Sequence, residues 1–213
     1  MAWRETMWRT IVTAIFQLIF LMLLQLPAQA TILLTMDDLP TQAVNGLMHP
    51  SGVKFGFTVG GIASSDAQYA SGGPMTTAFI NDPSVEGNAA GVLDITFPAI
   101  FNVVQFGVAV STMSPSSVNV ELFNASNTSL GVSSLPLTLH GFQFIENRFT
   151  YGGIGVSRLR LDLTPSSTSP RFAFDNLFLD SSSTPTIPEP TSLTMFALGT
   201  CLLSTFSRSR RSS

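Results

Sequence analysis

The stretch VSRLRLDL, residues 156–163, indicates the fold class. Apolar and charged residues alternate along it one by one: Leu159, Leu161 and Leu163 against Arg158, Arg160 and Asp162. Successive side chains of a β-strand point to opposite faces, so a period of two residues is typical of a strand. The stretch therefore predicts a half-buried antiparallel strand, with its leucines toward a core and its charges toward solvent.

The surrounding sequence has the same character. Residues 31–180 show no sustained helical periodicity, and short β-like runs recur between Gly, Pro, Asn and Ser. Nine strands are predicted, at 32–36, 53–59, 76–80, 92–97, 103–110, 117–123, 142–149, 156–163 and 172–179. Residues 118–131 read as a hairpin with its tip at 124–127. We therefore expect an all-β fold, an antiparallel β-sandwich of the jelly-roll, lectin-like kind over residues 31–180.

Charge and cysteine content narrow the functions open to this domain. Residues 31–187 hold eleven Asp and Glu against five Lys and Arg, a net charge of −6. An acidic domain lacks the basic face that nucleic acid requires, so no nucleic-acid partner is expected. The sole cysteine, Cys201, lies outside the domain, which therefore has neither a disulfide nor a cysteine-ligated metal.

Residues 1–30 have the parts of a secretory signal peptide. Arginines precede an apolar stretch at 11–26, and a proline then breaks the helix. Ala28 and Ala30 fit the small-x-small pattern that signal peptidase accepts, so cleavage is expected after Ala30. The alternative is an uncleaved membrane anchor.

The C-terminal region reads as a linker followed by a membrane segment. Residues 181–187 form a polar Ser/Thr/Pro linker, which we expect to be flexible and extended. The apolar run at 191–207 approaches the ~20 residues of a spanning helix, so a single transmembrane helix is predicted. A basic tip follows it: Arg208, Arg210 and Arg211. The positive-inside rule keeps this tip cytoplasmic and places the domain outside the inner membrane.

Residues 188–213 resemble the PEP-CTERM protein-sorting domain. The resemblance rests on Pro188-Glu189-Pro190, then the short apolar helix, then the arginine-rich tip, with a signal peptide at the other end of the chain. It implies a bacterial exported protein whose tail is recognised and processed by an exosortase, an integral-membrane, cysteine transpeptidase-like enzyme. It also implies transient tethering to the inner membrane and a final place at the cell surface or in the exopolysaccharide matrix.

Two acidic segments resemble motifs of PEP-CTERM β-sandwich proteins and lectin-like jelly rolls. MDDLP, residues 36–40, ends the first predicted strand, and FAFDNLFLD, residues 172–180, forms the last. The resemblance implies that these strands pair and that a structural Ca²⁺ lies between them, bound by Asp37, Asp38 and Asp175. The alternative is that these residues only cap turns and a bulge through hydrogen bonds.

Other candidate groups suggest no catalysis. His49 and His140 are isolated, without the spacing of a metal site, and are predicted to be solvated loop residues. No G-x-S-x-G motif is present. A glycoside hydrolase needs two carboxylates beside the sugar bond, and four acidic residues are candidates to meet in space: Asp94, Glu121, Glu146 and Asp162.

Three roles therefore remain for the domain, and we expect no enzymatic activity. The first is a structural or adhesive protein of the exopolysaccharide, the second a carbohydrate-binding module, and the third a small glycoside hydrolase. Sugar rings stack on exposed aromatic side chains, and Tyr69 and Tyr151 are the only Tyr or Trp residues of the domain. Their exposure beside a groove would favour binding, whereas paired carboxylates about 5–9 Å apart would favour hydrolysis.

Overall fold

The computed structural model describes residues 30–70, 77–112, 114–139, 144–166 and 171–181. These residues form eleven β-strands and one 3-10 turn, Thr164–Ser166, without an α-helix. None of their helical segments is long and apolar enough to cross a membrane, and the predicted signal helix and C-terminal membrane helix lie outside the described residues. The strands are β1 Thr31–Leu34, β2 Gln42–Ala43, β3 Lys54–Val59, β4 Ile62–Ala63, β5 Gln68–Ala70, β6 Ser84–Asn88, β7 Gly91–Val110, β8 Ser116–Phe123, β9 Ser129–Leu139, β10 Ile145–Asp162 and β11 Arg171–Asp180.

All strand pairings are antiparallel, and two long strands, β7 and β10, run through two sheets. β7 pairs with β3 over 91–96 and with β11 over 103–110, and β10 follows it along both parts. We name as the front sheet β4, β3, the start of β7, the end of β10, β8 and β9. The back sheet comprises β2, β5, β6, β11, the end of β7 and the start of β10, with β1 on β11.

The bend between the two sheets contains Gly155, which lies close to β7. The register of β10 against β7 shifts between Gly152 and Arg158, as expected where bulges bend a strand. A Cβ atom at Gly155 would overlap the side chain of Ile100 on the bent part of β7. A larger residue at position 155 would therefore require the exposed side chain of Ile100 to move.

The core lies between the two sheets. Phe57 of the front sheet meets Phe172 of the back sheet, with ring centroids 5.7 Å apart. Phe106 lies 5.1 Å from both Phe149 and Phe174 within the same cluster. Each such ring contributes roughly 1.5–3 kcal/mol when fully buried. This face-to-face packing confirms the predicted all-β, antiparallel sandwich.

The alternation predicted for 156–163 is confirmed. The three leucines of this stretch are fully buried in the core, and its charged residues are half-buried on the outer side of the front sheet. The predicted hairpin is also present between β8 and β9. Its tip closes with hydrogen bonds from Asn124 N to Thr128 O at 3.0 Å and from Asn127 N to Asn124 O at 2.9 Å. Asn127 has a φ of 58°, which asparagine tolerates well.

The first and last strands pair as the resemblance implied. Thr31 lies opposite Asp180 and Leu34 opposite Leu177. β11 thus has β7 along one edge and β6 followed by β1 along the other. The two ends of the domain consequently lie side by side.

Several predicted strands differ from the observed ones. The prediction at 76–80 is wrong, because residues 77–80 form a loop. The predicted pair 92–97 and 103–110 is the single strand β7, and the pair 142–149 and 156–163 is joined in β10. β2, β4, β5 and β6 were not predicted, and β9 extends beyond the predicted hairpin. β6 reads SVEGN, whose glycine and buried glutamate obscure the alternation that identifies other strands.

The loop at 77–81, which we name the back loop, covers the outer side of the back sheet. Ile80 is fully buried against Ala109 and Ala173 in a small second core. A Cβ atom at Gly107 would overlap the carbonyl oxygen of Phe79. Small residues on β7 and β11 therefore let the loop backbone lie directly on the sheet.

Candidate functional site

The outer side of the front sheet, which we name the open face, carries polar side chains at alternating positions. Because strands pair in register, these side chains form rows across β3, β7, β10, β8 and β9. The corner row, nearest the bend, is Lys54, Thr96, Arg158 and Phe123; the middle row is Gly56, Asp94, Arg160, Glu121 and Val132; the outer row is Thr58, Val92, Asp162, Asn119 and Ser134.

A groove of about 600 Å³ runs over the middle and outer rows. This volume lies within the range of pockets that hold small ligands, about 300–1,000 Å³. The groove is lined by Thr58, Gly61, Val92, Asp94, Asn119, Glu121, Val132, Arg160 and Asp162. Carboxylate, amide, hydroxyl and guanidinium groups thus meet there, and together they can donate hydrogen bonds to hydroxyl groups or accept them.

Arg160 lies at the centre of the groove between two carboxylates. Its Nε is 3.4 Å from Asp94 Oδ1, and its Nη1 is 3.8 Å from Glu121 Oε2. Arg160 Nε and Asp94 Oδ1 are nevertheless both without a hydrogen-bond partner, so their contact is a charge pairing with poor hydrogen-bond alignment. Arg160 is therefore held between the two carboxylates by charge, at 3.4 Å and 3.8 Å.

A second arginine lies beside the groove on an aromatic ring. The guanidinium carbon of Arg158 is 3.8 Å from the ring centroid of Phe123. Such stacking holds a guanidinium flat and limits its motion. Arg158 Nε is buried and has no hydrogen-bond partner.

Three of the four candidate carboxylates meet on the open face. Asp94 and Glu121 flank Arg160, and Asp162 follows in the next row. Glu146 lies on the other sheet, fully buried, and accepts hydrogen bonds from the N–H groups of Ala78 at 2.7 Å and Phe79 at 3.0 Å. Asp94, Glu121 and Asp162 are brought together by the register between paired strands, which cannot be read from the sequence.

The two tyrosines of the domain, the candidates for stacking on sugar rings, lie away from the groove. Tyr69 is 1% exposed and packs edge-on against Phe55, with centroids 6.0 Å apart. Burial, with the nearby charge of Asp38, raises the pKa of Tyr69. Tyr151 is half-buried and donates its hydroxyl to Ile154 O at 3.1 Å. Neither lines the groove, so an exposed tyrosine beside a groove, the feature that would favour carbohydrate binding, is not found there.

The MDDLP segment makes a contact that the sequence did not predict. Asp37 and Asp38 are both exposed after β1, and Asp38 Oδ2 lies 2.6 Å from His49 Nε2. His49 is only 5% exposed, and its Nδ1 accepts a hydrogen bond from Ser51 N at 3.1 Å. The prediction of a solvated His49 is therefore wrong. His140 lies outside the described residues.

Asp175 caps backbone groups at a bulge of β11. It is fully buried, and its Oδ1 accepts from Asn176 N at 2.6 Å and its Oδ2 from Asn81 N at 2.9 Å. Burial raises the pKa of Asp175 to about 6, and the negative charges of Asp37 and Asp82 act in the same direction. The register of β11 against β7 shifts just after Asp175. This arrangement agrees with the alternative in which Asp175 caps a bulge through hydrogen bonds.

The three predicted calcium ligands do not form one group. Asp38 is engaged by His49, and both oxygens of Asp175 already accept N–H groups. In the described part of the chain, no three His, Cys, Asp or Glu side chains are placed to hold a metal ion. The calcium site stays a prediction.

The sorting signal was predicted on residues beyond the described part. The described residues do not include Ala28 of the expected cleavage site, or Pro188, Glu189, Pro190, Arg208, Arg210 and Arg211. Ala30 is the first described residue and is exposed.

A protein-family model described as the PEP-CTERM protein-sorting motif matches residues 186–211. The chain carries a PEP-CTERM protein-sorting motif. The match spans the proline–glutamate triplet, the apolar run and the arginines, and confirms the resemblance seen in the sequence. The motif indicates an exported protein that is sorted to the cell surface. No curated protein matches the chain.

Among solved structures, the chain is similar to carbohydrate-binding modules. A family 29 carbohydrate-binding module shares 11% identity and a TM-score of 0.43, covering 78% of this chain and 99% of that one. A Streptococcus pneumoniae fucose-binding module shares 11% identity and a TM-score of 0.33, covering 47% of this chain and 71% of that one. Similarity this low does not indicate which ligand this chain binds or which of its residues form a binding site.

Proposed function

We propose that this protein is exported through its signal peptide and sorted by an exosortase through its PEP-CTERM tail, to serve as a structural or adhesive component of the exopolysaccharide. The observation that carries the proposal is the motif match at residues 186–211. The predicted helix at 191–207 would hold the chain in the inner membrane until processing, with Glu189 accessible between two prolines. The proposed sandwich topology is a jelly roll.

Processing can be tested in the native host. The mature protein should be found in the envelope or the medium, and mass spectrometry should show it shortened at both ends. Glu189→Ala is expected to leave the tail attached to the protein. Changes at the buried Glu146 would affect folding, so they cannot serve as a control for processing. A released protein that retains residues 187–213 would overturn the processing step.

The groove of the open face favours polysaccharide binding as the activity of the domain. Hydroxyl-rich ligands are recognised by placed polar groups that can pair with adjacent hydroxyls. The groove offers Asn119, Asp162 and the loosely paired Asp94–Arg160. Binding of this kind would supply the adhesive role without a chemical step.

Hydrolysis is the weaker alternative. A glycoside hydrolase needs one protonated and one ionised carboxyl group across the sugar bond, whereas Asp94 and Glu121 both lie against the guanidinium of Arg160. We therefore propose that the groove holds a saccharide chain and leaves it intact.

Binding can be tested by affinity electrophoresis of the full-length chain in gels containing candidate polysaccharides. Asp94→Ala should abolish the retardation seen with the unaltered protein. Gln68→Ala, an exposed change on the back sheet, serves as the control. Shortening of the polysaccharide during incubation would instead show hydrolysis.

A structural calcium ion remains a separate proposal. Asp37 is close enough to Asp175 for its charge to raise the pKa of that carboxyl, and a cation between them would relieve this repulsion. EDTA should then lower the melting temperature, and added calcium should restore it. An unchanged melting temperature would remove the site.

A further inference from the structure

Two cations of the corner row lack an ion-pair partner. Of the five Lys and Arg residues of the domain, Arg160 and Arg171 pair with described carboxylates. Arg148 has no such pair either, but it lies apart on the back sheet, over the ring of Phe79. Lys54 and Arg158 form no ion pair with any described residue. Unpaired cations are unexpected here, because the domain carries more than twice as many acidic as basic residues.

The two cations lie on the same row of the same face. Lys54 is opposite Thr96 on β7, and Thr96 is opposite Arg158 on β10. Their Cα atoms are therefore two strand spacings apart, about 10 Å. The corner row thus forms a positive strip directly beside the middle row, where Asp94 and Glu121 carry negative charge.

Arg158 is positioned as a donor for an anion. Phe123, only 6% exposed, lies beneath its guanidinium. None of the described carboxylates pairs with this guanidinium, whose N–H groups match two oxygens of a carboxylate or a sulphate group. If Arg158 only covered the ring of Phe123, that role would not explain why Lys54, in the same row, also lacks an ion-pair partner.

We propose that the corner row binds an anionic group, a carboxylate or a sulphate ester, on the saccharide chain that lies in the groove. This inference rests on the proposed polysaccharide binding and adds the charge class of the ligand. The groove would contact hydroxyl groups, and Lys54 and Arg158 would select chains that carry acidic sugars.

Matched ligands test the charge class. Isothermal titration of the full-length chain would compare hexagalacturonate with its full methyl ester, and dextran sulphate with dextran. At least one anion should bind about tenfold or more tightly than its uncharged counterpart, since hydrogen bonds to charged groups are the stronger ones. That preference should weaken as added salt shortens the screening length.

Matched variants test the residues. Arg158→Gln and Lys54→Gln should each weaken binding of the preferred anion about tenfold and leave the uncharged ligand unaffected. Arg171→Gln removes the same charge from the back sheet and should change neither. Circular dichroism would check that each variant folds, and Lys54→Gln, at an exposed position, keeps the test valid if Arg158→Gln does not.

The outcomes separate this inference from the proposed function. Equal binding of charged and uncharged ligands would overturn the anion site and leave polysaccharide binding intact. Equal losses in Arg171→Gln and Arg158→Gln would also overturn it, because net charge alone would then explain the preference. Binding of none of the four ligands would count against both proposals.

Discussion

The outer sides of the two sheets differ, although β7 and β10 run through both. On the front sheet, the outward positions of β10 are charged and remain at the surface around a groove. On the back sheet, outward Gly107 and Ala109 lie beneath the back loop, and Glu146 is opposite Ala109. Residue size and the hydrogen-bond partner of each carboxylate therefore decide whether the outer side of a sheet stays open to solvent.

The largest effect is expected from removing the carboxylate that holds the back loop. Glu146→Ala leaves the N–H groups of Ala78 and Phe79 without their acceptor. We expect the free energy of unfolding to fall by roughly 3 kcal/mol, because two charge-assisted hydrogen bonds are lost in a buried site. Urea denaturation of the full-length chain would measure it.

The matched control is Glu121→Ala, which removes a carboxylate from the open face. It should cost less than about 1 kcal/mol, since half-exposed ion pairs contribute little. Equal losses in the two variants would show that the faces do not differ in the way described.

The second largest effect is expected on the pH dependence of the free energy of unfolding. The pKa of Asp175 is raised from 3.8 to about 6 in the folded protein, so between these values the folded state binds more protons than the unfolded state. Its contribution to stability is therefore complete below about pH 4 and is lost as the pH rises through about 6. The loss is up to roughly 3 kcal/mol for a shift of this size.

Urea midpoints measured between pH 4 and pH 7.5 would reveal this dependence. Asp175→Asn should flatten the profile in that window, because the amide does not titrate. A profile as steep in the variant as in the unaltered protein would assign the dependence to other groups.

A third effect follows from the close approach of the back loop. Gly107→Ala places a Cβ atom against the carbonyl oxygen of Phe79, so the loop must move, at a cost of about 1–3 kcal/mol. Gly152→Ala has no atom within 4 Å of the added Cβ and should cost less. Melting temperatures of the two variants would decide the order.

The smallest effect on stability is expected at the centre of the open face. Arg160→Gln removes a loose pairing at 3.4 and 3.8 Å and should change the free energy of unfolding by less than about 1 kcal/mol. The same variant should weaken saccharide binding in affinity gels. A large loss of stability would make Arg160 a structural residue.

The sequence predicted what depends on local patterns. Alternation in 156–163, the asparagine-rich hairpin tip and the sorting motif were all readable, because each depends on neighbours along the chain. The grouping of Asp94, Glu121 and Arg160 was not readable, because it depends on the register of three strands distant in sequence. Glu146 and Asp175 were also missed as buried residues, since a buried carboxylate is recognisable only with its N–H partners in view.

The position of β11 has a consequence for the order of events during export. β11 is the last described strand, yet it lies between β7 on one side and β6 and β1 on the other. The sheet therefore cannot close until the chain up to residue 180 is available to pair. By then only residues 181–187, about 25 Å when fully extended, separate the domain from Pro188. In the proposed sorting route, closure of the sheet would coincide with arrival of the sorting segment at the membrane, and a chain that stalls before β11 would present an open core.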